Sequence, residues 1–361
     1  MEKYRVGIVG ATGMVGQRFI SLLKDHPWFE VNCVAASARS AGKTYREAVG
    51  ERWAFAWEIP EKVAGMTVVD AADIDEVSKH VDFVFCAVDM KKDEIRALEE
   101  AYAKHEIPVV SNNSACRGIE DVPMVVPEIN ADHLAVIEAQ KKRLGTKNGF
   151  IAVKPNCSIQ SYVPALTPLL DFEPEKVSVC TYQAISGAGK TFKTWPEMVD
   201  NVFPYIGGED EKSENEPLKL WGHVEDGKIV NATLPVISAQ CLRVACSDGH
   251  MAAVSVSFKK KPTIEQIKER WANYETEAQR LELPSAPKPF LQYFEDPSRP
   301  QTRLDRDFQN GFGVSIGRLR EDKLFDYRFV CLSHNTVRGA AGGGILTAEL
   351  LCRKGYIPHR V

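Results

Sequence analysis

The sequence predicts an α/β protein, with an N-terminal Rossmann-like domain built on a parallel sheet and a second α+β domain. In the first part of the chain, short apolar runs alternate with segments of helical periodicity, which is typical of a parallel sheet. A glycine-rich turn joins the first strand to the first helix. Beyond about residue 150, strand-like runs replace this alternation. A chain of 361 residues also exceeds the usual size of one hydrophobic core, so two domains are expected.

The first domain, residues 1–150, contains the regular alternation. YRVGIVG is a strand candidate, MVGQRFISLLKDH has apolar residues at helical spacing, and EVNCVAAS is again strand-like. Further strands are predicted at MTVVD, DFVFCAV and IPVVSN, and the helical stretch KKDEIRALEEAYAKHE separates the last two. This order predicts βαβ units.

The second domain, residues 151–337, has a different pattern. KVSVCTYQAIS and HMAAVSVSFKK are candidates for antiparallel strands, and the acidic segment from Gly207 to Glu216 is interpreted as a mobile surface loop. VRGAAGGGILTAELLCRKG predicts a glycine-rich turn followed by a helix that packs back on the first domain. Residues 338–361 are therefore expected to complete that domain.

Composition and charge exclude several classes of protein. A net charge of −4 gives no reason to expect a nucleic acid partner, and no uninterrupted apolar run reaches the length of about 18 residues needed to span a membrane. The amino terminus lacks the pattern of a secretory signal, and nine scattered cysteines suit a reducing compartment. We expect a cytoplasmic protein without a metal site.

The first motif consists of Gly10, Gly13 and Gly16, between the first strand and the first helix. Glycines at such a turn let the backbone approach a pyrophosphate, and the helix amino terminus attracts the anion. Because the strand, turn and helix occur together, we interpret this motif as a dinucleotide site rather than a structural turn.

The end of the second strand indicates which dinucleotide binds. An acidic residue about 20 positions after the glycines would bind the ribose hydroxyls of NAD, and the sequence has none there. It has Ser37, Arg39 and Ser40 instead. A guanidinium and two hydroxyls suit a 2′-phosphate, so we predict NADP, unless Arg39 is an ordinary surface residue.

Cys157, in KPNCSIQ, is the candidate nucleophile. If a helix began directly after Asn156, its partial positive charge would lower the pKa of the thiol. Pro164 and Pro168 imply that such a helix is short or kinked. The alternative is a buried, inert thiol.

His250 and Arg243 are the candidate partners of the thiol. His250 follows an SDG turn and opens a strand in which alternate residues share its face. Arg243 lies seven residues earlier, on what we interpret as the preceding strand of a hairpin, where it could bind a carboxylate. Taken alone, a histidine after a turn is more often a surface residue.

Five motifs occur in order along nearly the whole chain: GIVGATGMVGQ, SNNSACR, KPNCSIQ, TYQAISGAGK and R-x-x-x-x-x-G-H. Together they resemble aspartate-semialdehyde dehydrogenase, of the branch found in archaea and fungi. The resemblance implies that NADPH reduces L-4-aspartyl phosphate to L-aspartate 4-semialdehyde and phosphate, in the aspartate pathway to lysine, threonine, methionine and isoleucine. It also implies a homodimer or homotetramer that pairs through the second domain.

The resemblance further implies roles for single residues. Cys157 would form an acyl thioester, and His250 would be the general acid and base. The substrate contacts would be Arg243 for the α-carboxylate, Glu216 for the amino group, Gln183 for the acyl chain, and Arg117, Lys219 and Asn113 for the phosphate. The cofactor phosphates would contact Thr12, Gly13, Met14 and Val15, and the nicotinamide end would lie near Ser186, Gly187 and Asn335. If Glu216 does not bind the amino group, the neighbouring acids to consider are Glu209, Asp210, Glu211 and Glu214.

Three other functions remain open at this stage. The first is a dehydrogenase acting on N-acetylglutamyl phosphate or glyceraldehyde 3-phosphate, which offers no free amino acid for Arg243 and Glu216 to bind. The second is malonyl-CoA reductase, which keeps the cysteine and the NADP site. The third is a non-catalytic NADP-binding protein, against which an intact pair of Cys157 and His250 argues.

Overall fold

The first sheet carries the cofactor domain, in a computed structural model that describes residues 2–359. Six parallel strands lie in the order β3-β2-β1-β4-β5-β6. Their bounds are β1 (Tyr4–Val9), β2 (Phe29–Ala36), β3 (Val69–Asp70), β4 (Phe83–Cys86), β5 (Val109–Ser111) and β6 (Ile151–Val153). The strand order reverses between β1 and β4, and ligands of such sheets bind at this switch point.

The second sheet has seven strands of mixed direction, in the order β13-β14-β15-β12-β7-β11-β8, and a separate two-stranded sheet pairs β9 with β10. The bounds are β7 (Pro174–Gln183), β8 (Val202–Phe203), β9 (His223–Glu225), β10 (Lys228–Val230), β11 (Val236–Val244), β12 (His250–Phe258), β13 (Leu291–Phe294), β14 (Val314–Glu321) and β15 (Tyr327–Ser333). The mixed α/β architecture predicted from the sequence is confirmed.

Twelve α-helices surround the sheets within the described residues. They are α1 (Met14–Leu23), α2 (Tyr45–Val49), α3 (Glu61–Ala64), α4 (Ile74–Ser78), α5 (Lys92–Lys104), α6 (Ile137–Leu144), α7 (Val163–Leu166), α8 (Glu209–Leu220), α9 (Ile264–Ala272), α10 (Glu277–Arg280), α11 (Thr302–Asp305) and α12 (Gly342–Arg353). Between residues 2 and 359, none of the helices has the length and apolarity required to cross a membrane.

The strands of the first sheet and α12 form one buried core. β4 is buried at all four positions, because helices cover both faces of a parallel sheet. From α12, Ile345 and Leu346 join Ile8 and Phe19 in that core. The C-terminal helix therefore packs on the first domain, as predicted. β6 also belongs to the first sheet, and the predicted domain boundary just before it remains a prediction.

The hairpin predicted around Arg243 is wrong. β7 lies between β11 and β12, parallel to β11 and antiparallel to β12. The chain from Arg243 therefore crosses over β7 before it reaches His250, and five residues separate the two strands. The predicted alternation in β12 is confirmed, since every second residue from His250 to Phe258 is buried.

The acidic segment from Gly207 to Glu216 is not a loop, as the sequence interpretation had it, because it forms most of α8. Acidic residues fill the first helical turn, where they interact favourably with the helix dipole. The buried residues Ser213, Pro217 and Leu220 anchor the helix, which packs along β11. A segment with a polar sequence thus forms a helix that buries only one narrow face.

Candidate active site

The glycine turn between β1 and α1 leaves no room for side chains at Gly10 and Gly16. A Cβ atom on Gly10 would lie 2.4 Å from the carbonyl oxygen of Ala87, and Gly10 has a φ of +91°. A Cβ on Gly16 would lie 2.3 Å from the Gly10 oxygen, so Gly16 serves the packing of α1. Gly13 caps the amino terminus of α1. This turn can therefore bring backbone N–H groups close to a phosphate.

A cavity of about 580 Å³ opens beside this turn. Its lining includes Thr12, Ser37, Arg39 and Ser40, as the sequence predicted for the adenosine end of NADP, together with Gly10 and Gly13. Lys43 and Arg52 also line it and add positive charge that the sequence reasoning did not assign. Asp89 is the one carboxylate among the described lining residues. The cavity therefore offers the positive charge and the hydroxyl groups that would bind the 2′-phosphate of NADP.

A second cavity, of about 140 Å³, lies between α1 and the second domain. Met14 lines it on one side and Ser186 on the other. The Asn335 amide nitrogen donates to the Ser186 hydroxyl at 2.8 Å, and its oxygen accepts from the Gly249 N–H at 2.8 Å. Asn335 therefore holds Ser186 and the turn before His250 in place. Val15 lines neither cavity.

Cys157 and His250 come together, with Sγ 3.4 Å from Nε2. The Ala184 N–H donates to Nδ1 of His250 at 3.0 Å, so Nδ1 is the acceptor nitrogen. The hydrogen of the neutral ring must then lie on Nε2, facing the sulfur. Burial, followed by the charge of Arg243, lowers the pKa of His250 well below its ordinary value. The imidazole is thus neutral at physiological pH, and its Nε2–H faces the Cys157 sulfur.

Cys157 is not at the start of a helix, in contrast to the prediction. Residues 157–162 form turns, and α7 begins only at Val163. Burial, and next the charge of Glu209, raise the pKa of the Cys157 thiol, while nearby cations lower it. The thiol therefore depends on positive side chains to ionise, because no helix end supplies the charge.

Arg243 lies beside the thiol and the imidazole. It pairs in register with Gln183 of the neighbouring strand, and its Nη1 donates to the Ala184 oxygen at 2.8 Å. A Cβ on Gly187 would lie 2.8 Å from Nη1 of Arg243 and 3.0 Å from the His250 ring. Gly187 therefore allows the chain to cross over both side chains. Arg243 has no carboxylate partner among the described residues, so it can bind one from a ligand.

Gln183 contacts Glu209, which the sequence reasoning named only as a fallback. The Gln183 amide donates to Glu209 Oε2 at 3.2 Å, and the Asn156 amide donates to both Glu209 oxygens at 3.0 Å. Burial opposes the ionisation of Glu209, but hydrogen bonds from Lys212, Asn156 and Gln183 hold its pKa below the ordinary value. A buried carboxylate thus lies next to the nucleophile.

Arg117 and Glu216 form an ion pair of 2.9 Å. Glu216 also accepts from the Asn156 N–H at 2.6 Å, and Arg117 donates to the Asn112 oxygen at 3.1 Å. The Nε atom of Arg117 is buried without a hydrogen-bond partner. The Nε donor of Arg117 is therefore free for an anion, and α8 brings Glu216 to the backbone of Asn156, the residue before the nucleophile.

The side-chain nitrogens of Lys219 and Asn113 bind groups within the protein and do not face a phosphate site. The Lys219 ammonium donates to the carbonyl oxygens of Arg117, Ile119 and Val122, at 2.7, 2.7 and 3.0 Å. All three of its hydrogens are used, and burial lowers its pKa to about 8. The Asn113 amide nitrogen donates to the buried Glu99 at 3.1 Å. Lys219 therefore ties down the segment that carries Arg117, with no hydrogen left for a phosphate.

Asn112 is a polar residue that the sequence reasoning missed. It follows β5, and its side-chain nitrogen and oxygen are both buried without partners. A Cβ on Gly344, at the start of α12, would lie 3.6 Å from that nitrogen. Its position directly after a strand of the parallel sheet was the available signal, because ligands bind at such strand ends. Asn112 is a candidate contact for the cofactor.

Comparisons with known proteins agree with this geometry. The family model "Semialdehyde dehydrogenase, NAD binding domain" matches residues 5–137, and "Semialdehyde dehydrogenase, dimerisation domain" matches residues 166–338. Aspartate-semialdehyde dehydrogenase of Schizosaccharomyces pombe is 45% identical over 98% of this chain and 99% of its own. The enzyme of that name from Archaeoglobus fulgidus is 43% identical over 98% of this chain and its full length.

Solved structures give the same result. The crystal structure of aspartate semialdehyde dehydrogenase with NADP from Candida albicans has a TM-score of 0.88 and 38% identity, covering 99% of this chain and 100% of that one. An enzyme of Vibrio cholerae, at 24% identity and a TM-score of 0.74 over 98% of this chain and 100% of that one, shares the fold. From the family models and the full-length relatives it follows that the chain belongs to the aspartate-semialdehyde dehydrogenase family.

Proposed function

We propose that this protein catalyses the NADPH-dependent reduction of L-4-aspartyl phosphate to L-aspartate 4-semialdehyde and phosphate, and the reverse reaction, through a thioester on Cys157. The observation that carries the proposal is the 3.4 Å contact between Sγ and the Nε2 of a buried, neutral His250. Arg243 lies beside this pair without a carboxylate partner in the described structure, as an amino acid substrate requires.

In the first step, the Cys157 thiolate attacks the acyl carbon and phosphate leaves, so a C–S bond replaces the C–O bond. When bound, NADPH supplies a hydride to the thioester carbon. The N–H of His250 Nε2 faces the position of the sulfur and can donate to the oxyanion that forms. Collapse of the oxyanion releases the aldehyde and returns the thiolate.

The remaining contacts are assigned by charge. Arg243 binds the α-carboxylate, and Gln183 lies next to it in register. Glu216 binds the amino group, and Arg117 offers its free Nε to the phosphate. Lys219 supports phosphate binding only indirectly, by holding the segment that carries Arg117, because its own hydrogens bind carbonyl oxygens.

The second sheet provides the surface for a homodimer, from which a tetramer could assemble. Alternate residues of β7, β11 and β12 face outwards and are exposed or half-buried. Tyr182, Val202 and Val236 add exposed apolar area. Because such area is usually covered in oligomers, this face is the proposed dimer contact. We place the protein in the cytoplasm, since all nine cysteines are free thiols.

A coupled assay tests the reaction. NADP reduction is followed with aspartate semialdehyde, in the presence and absence of phosphate. We expect strict dependence on phosphate, because phosphate must release the acyl group from Cys157. Turnover with malonyl-CoA but not with the semialdehyde would favour malonyl-CoA reductase. NADP binding without turnover of any substrate would favour a non-catalytic protein.

A further inference from the structure

Lys154 is a buried lysine in the KPNC motif to which the mechanism above gives no role. It follows β6, three residues before Cys157, and only 3% of its surface is exposed. Its ammonium donates to the carbonyl oxygen of Pro155 and to no other described atom. Two of its three hydrogens therefore have no acceptor, in a place where an unsatisfied charge is costly.

The other buried cations around the site are compensated. Arg117 pairs with Glu216, and Arg338 pairs with Glu128. Lys219 satisfies its hydrogens with three carbonyl oxygens. Arg243 has no acid partner among the described residues, and we have assigned it the substrate carboxylate. Among the described residues around the site, Lys154 is the buried cation that has neither an acidic partner, a full set of acceptors nor an assigned ligand group.

The packing places Lys154 and Cys157 against the same wall of the site. A Cβ on Gly339 would lie 2.9 Å from the Cys157 Cβ, and one on Gly343 would lie 3.2 Å from the Lys154 Cδ. The glycine-rich segment before and at the start of α12 therefore closes over both side chains. The anion that this ammonium can stabilise is the Cys157 thiolate, which forms when the thiol loses its proton.

We propose that Lys154 is a positioning residue of the active site, whose ammonium group stabilises the thiolate form of Cys157. This inference rests on the proposed function in taking Cys157 as the nucleophile. His250 donates a hydrogen bond to the sulfur but is neutral, so it adds no full positive charge. Lys154 supplies that charge from within the same motif.

Electrostatics supports this assignment. Burial, and next the charge of Arg117, lower the pKa of Lys154 to about 7, while Cys157 and Glu216 raise it. Among the cations that favour the thiolate, Lys154 acts more strongly than Arg243 and Arg117. Because each group shifts the pKa of the other, the ammonium and the thiol titrate as a linked pair. The other charged groups acting on this pair are Glu209 and Arg338, and the titratable but neutral imidazole of His250 also faces it.

The test measures the titration of Cys157 in the full-length protein. The rate of its alkylation by iodoacetamide is followed against pH by mass spectrometry of the peptide that contains residue 157. In Lys154→Met, we expect the apparent pKa of the thiol to rise by about one unit or more, so that alkylation near neutral pH slows about tenfold. In Lys154→Arg, which keeps the charge, alkylation should stay at least as fast as in the wild type.

Lys141→Met is the matched control, because it removes a largely buried ammonium that pairs with Glu138 on α6 and has no role in the site. Its thiol pKa should equal that of the wild type. An unchanged thiol pKa in Lys154→Met, or an equal shift in both methionine variants, would overturn the proposal. Full turnover by Cys157→Ala would refute the proposed function instead, and leaves the titration result untouched.

A measurement on the wild type decides the matter if Lys154→Met does not fold. The ultraviolet absorbance of the thiolate is titrated as the difference between the wild type and Cys157→Ser. A coupled lysine predicts two steps, because loss of the ammonium proton weakens the thiolate's partner. Arginine stays charged over this range, so Lys154→Arg should show a single step. One identical step in both proteins would overturn the proposal.

Discussion

The glycine turn between β1 and α1 and the pocket around Cys157 differ in how they are built. In the turn, side chains are missing because backbone atoms come within 2.4 Å of where a Cβ would lie. The pocket is built from polar side chains that bind one another. Glu216 accepts hydrogen bonds from Arg117 and from the Asn156 N–H, and Glu209 accepts one from the Asn156 amide. The turn tolerates no side chain at Gly10 or Gly16, whereas the pocket tolerates no loss of charge without a neighbour being left unpaired.

This difference predicts that pocket variants lose chemistry while turn variants lose cofactor affinity or stability. The two effects can be separated by measuring turnover and NADPH binding on the same variants. The following substitutions are ordered from the largest expected effect to the smallest.

Cys157→Ala should reduce turnover to background, because no other group near His250 can form the thioester. NADPH affinity, measured by fluorescence titration, should stay nearly unchanged, since the glycine turn is a separate structure. Cys352→Ala, at a half-buried thiol on α12, is the control and should keep activity. Substantial turnover by Cys157→Ala would mean that the pocket works without its thiol.

Arg39→Ala should weaken NADPH binding by on the order of 2 to 4 kcal/mol, the worth of one or two charge-assisted hydrogen bonds. Binding of NADH should hardly change, because NADH lacks the 2′-phosphate. Arg46→Ala, at an exposed arginine paired with Glu61, is the matched control. Equal weakening of both cofactors would show that Arg39 supports the cavity wall rather than the phosphate.

Glu216→Gln should lower kcat/KM for aspartate semialdehyde by one to two powers of ten, as expected for a charged contact of about 1.5 to 3 kcal/mol. Glu211→Gln, at an exposed position of α8, is the control. If Glu216→Gln has wild-type kinetics, Glu209→Gln is the next variant, because Glu209 is buried beside Asn156 and Gln183. If only Glu209→Gln lowers kcat/KM, the carboxylate that binds the substrate amino group is Glu209 and not Glu216.

Gly10→Ala should lower the free energy of unfolding by about 1 to 3 kcal/mol, because alanine is strained at a φ of +91° and its Cβ meets the Ala87 carbonyl. Gly13→Ala is a matched control in the same turn. Its Cβ would find its nearest neighbour at 3.6 Å, and its φ of −78° suits alanine. Thermal unfolding of the two variants gives the comparison, and equal losses would contradict it.

The sequence predicted the turn better than the pocket for a physical reason. Gly10 follows β1 directly and Arg39 lies three residues after the neighbouring β2, so their positions relative to the strands in the sequence report their place at one edge of the sheet. Glu209 and Lys154 act through contacts made by α8 and by the segment before α12, which only the tertiary structure brings together. The prediction of a hairpin around Arg243 was wrong for the same reason, because β7, which lies about 60 residues earlier in the chain, is inserted between β11 and β12.

Lys219 illustrates the same limit at one residue. The family resemblance implied a phosphate contact for Lys219, but the direction of its ammonium depends on the carbonyls of residues 117–122, about 100 positions away. No periodicity in the sequence reports which of two possible acceptors a lysine will find. The fold class, by contrast, followed from the strand and helix pattern alone.

The smallest effect concerns Glu99, a fully buried carboxyl in the first domain, below Asn113. Burial raises the pKa of Glu99, although hydrogen bonds from Ser111 and Asn113 oppose the shift. The folded protein therefore holds this proton to a higher pH than the unfolded chain does. Stability that is present below the ordinary glutamate pKa is lost as pH rises towards the raised value, because the folded state then binds the extra proton.

Glu99→Gln removes this titration and keeps an oxygen that can accept from Ser111 and Asn113. We expect the variant to gain stability relative to the wild type as pH rises above the ordinary glutamate pKa, with no further relative change at lower pH. Urea unfolding at several pH values measures the difference. Glu51→Gln, at an exposed position, controls for the loss of one negative charge. A stability difference that does not vary with pH would mean that Glu99 has the same pKa in the folded and unfolded protein, so that its hydrogen bonds offset its burial.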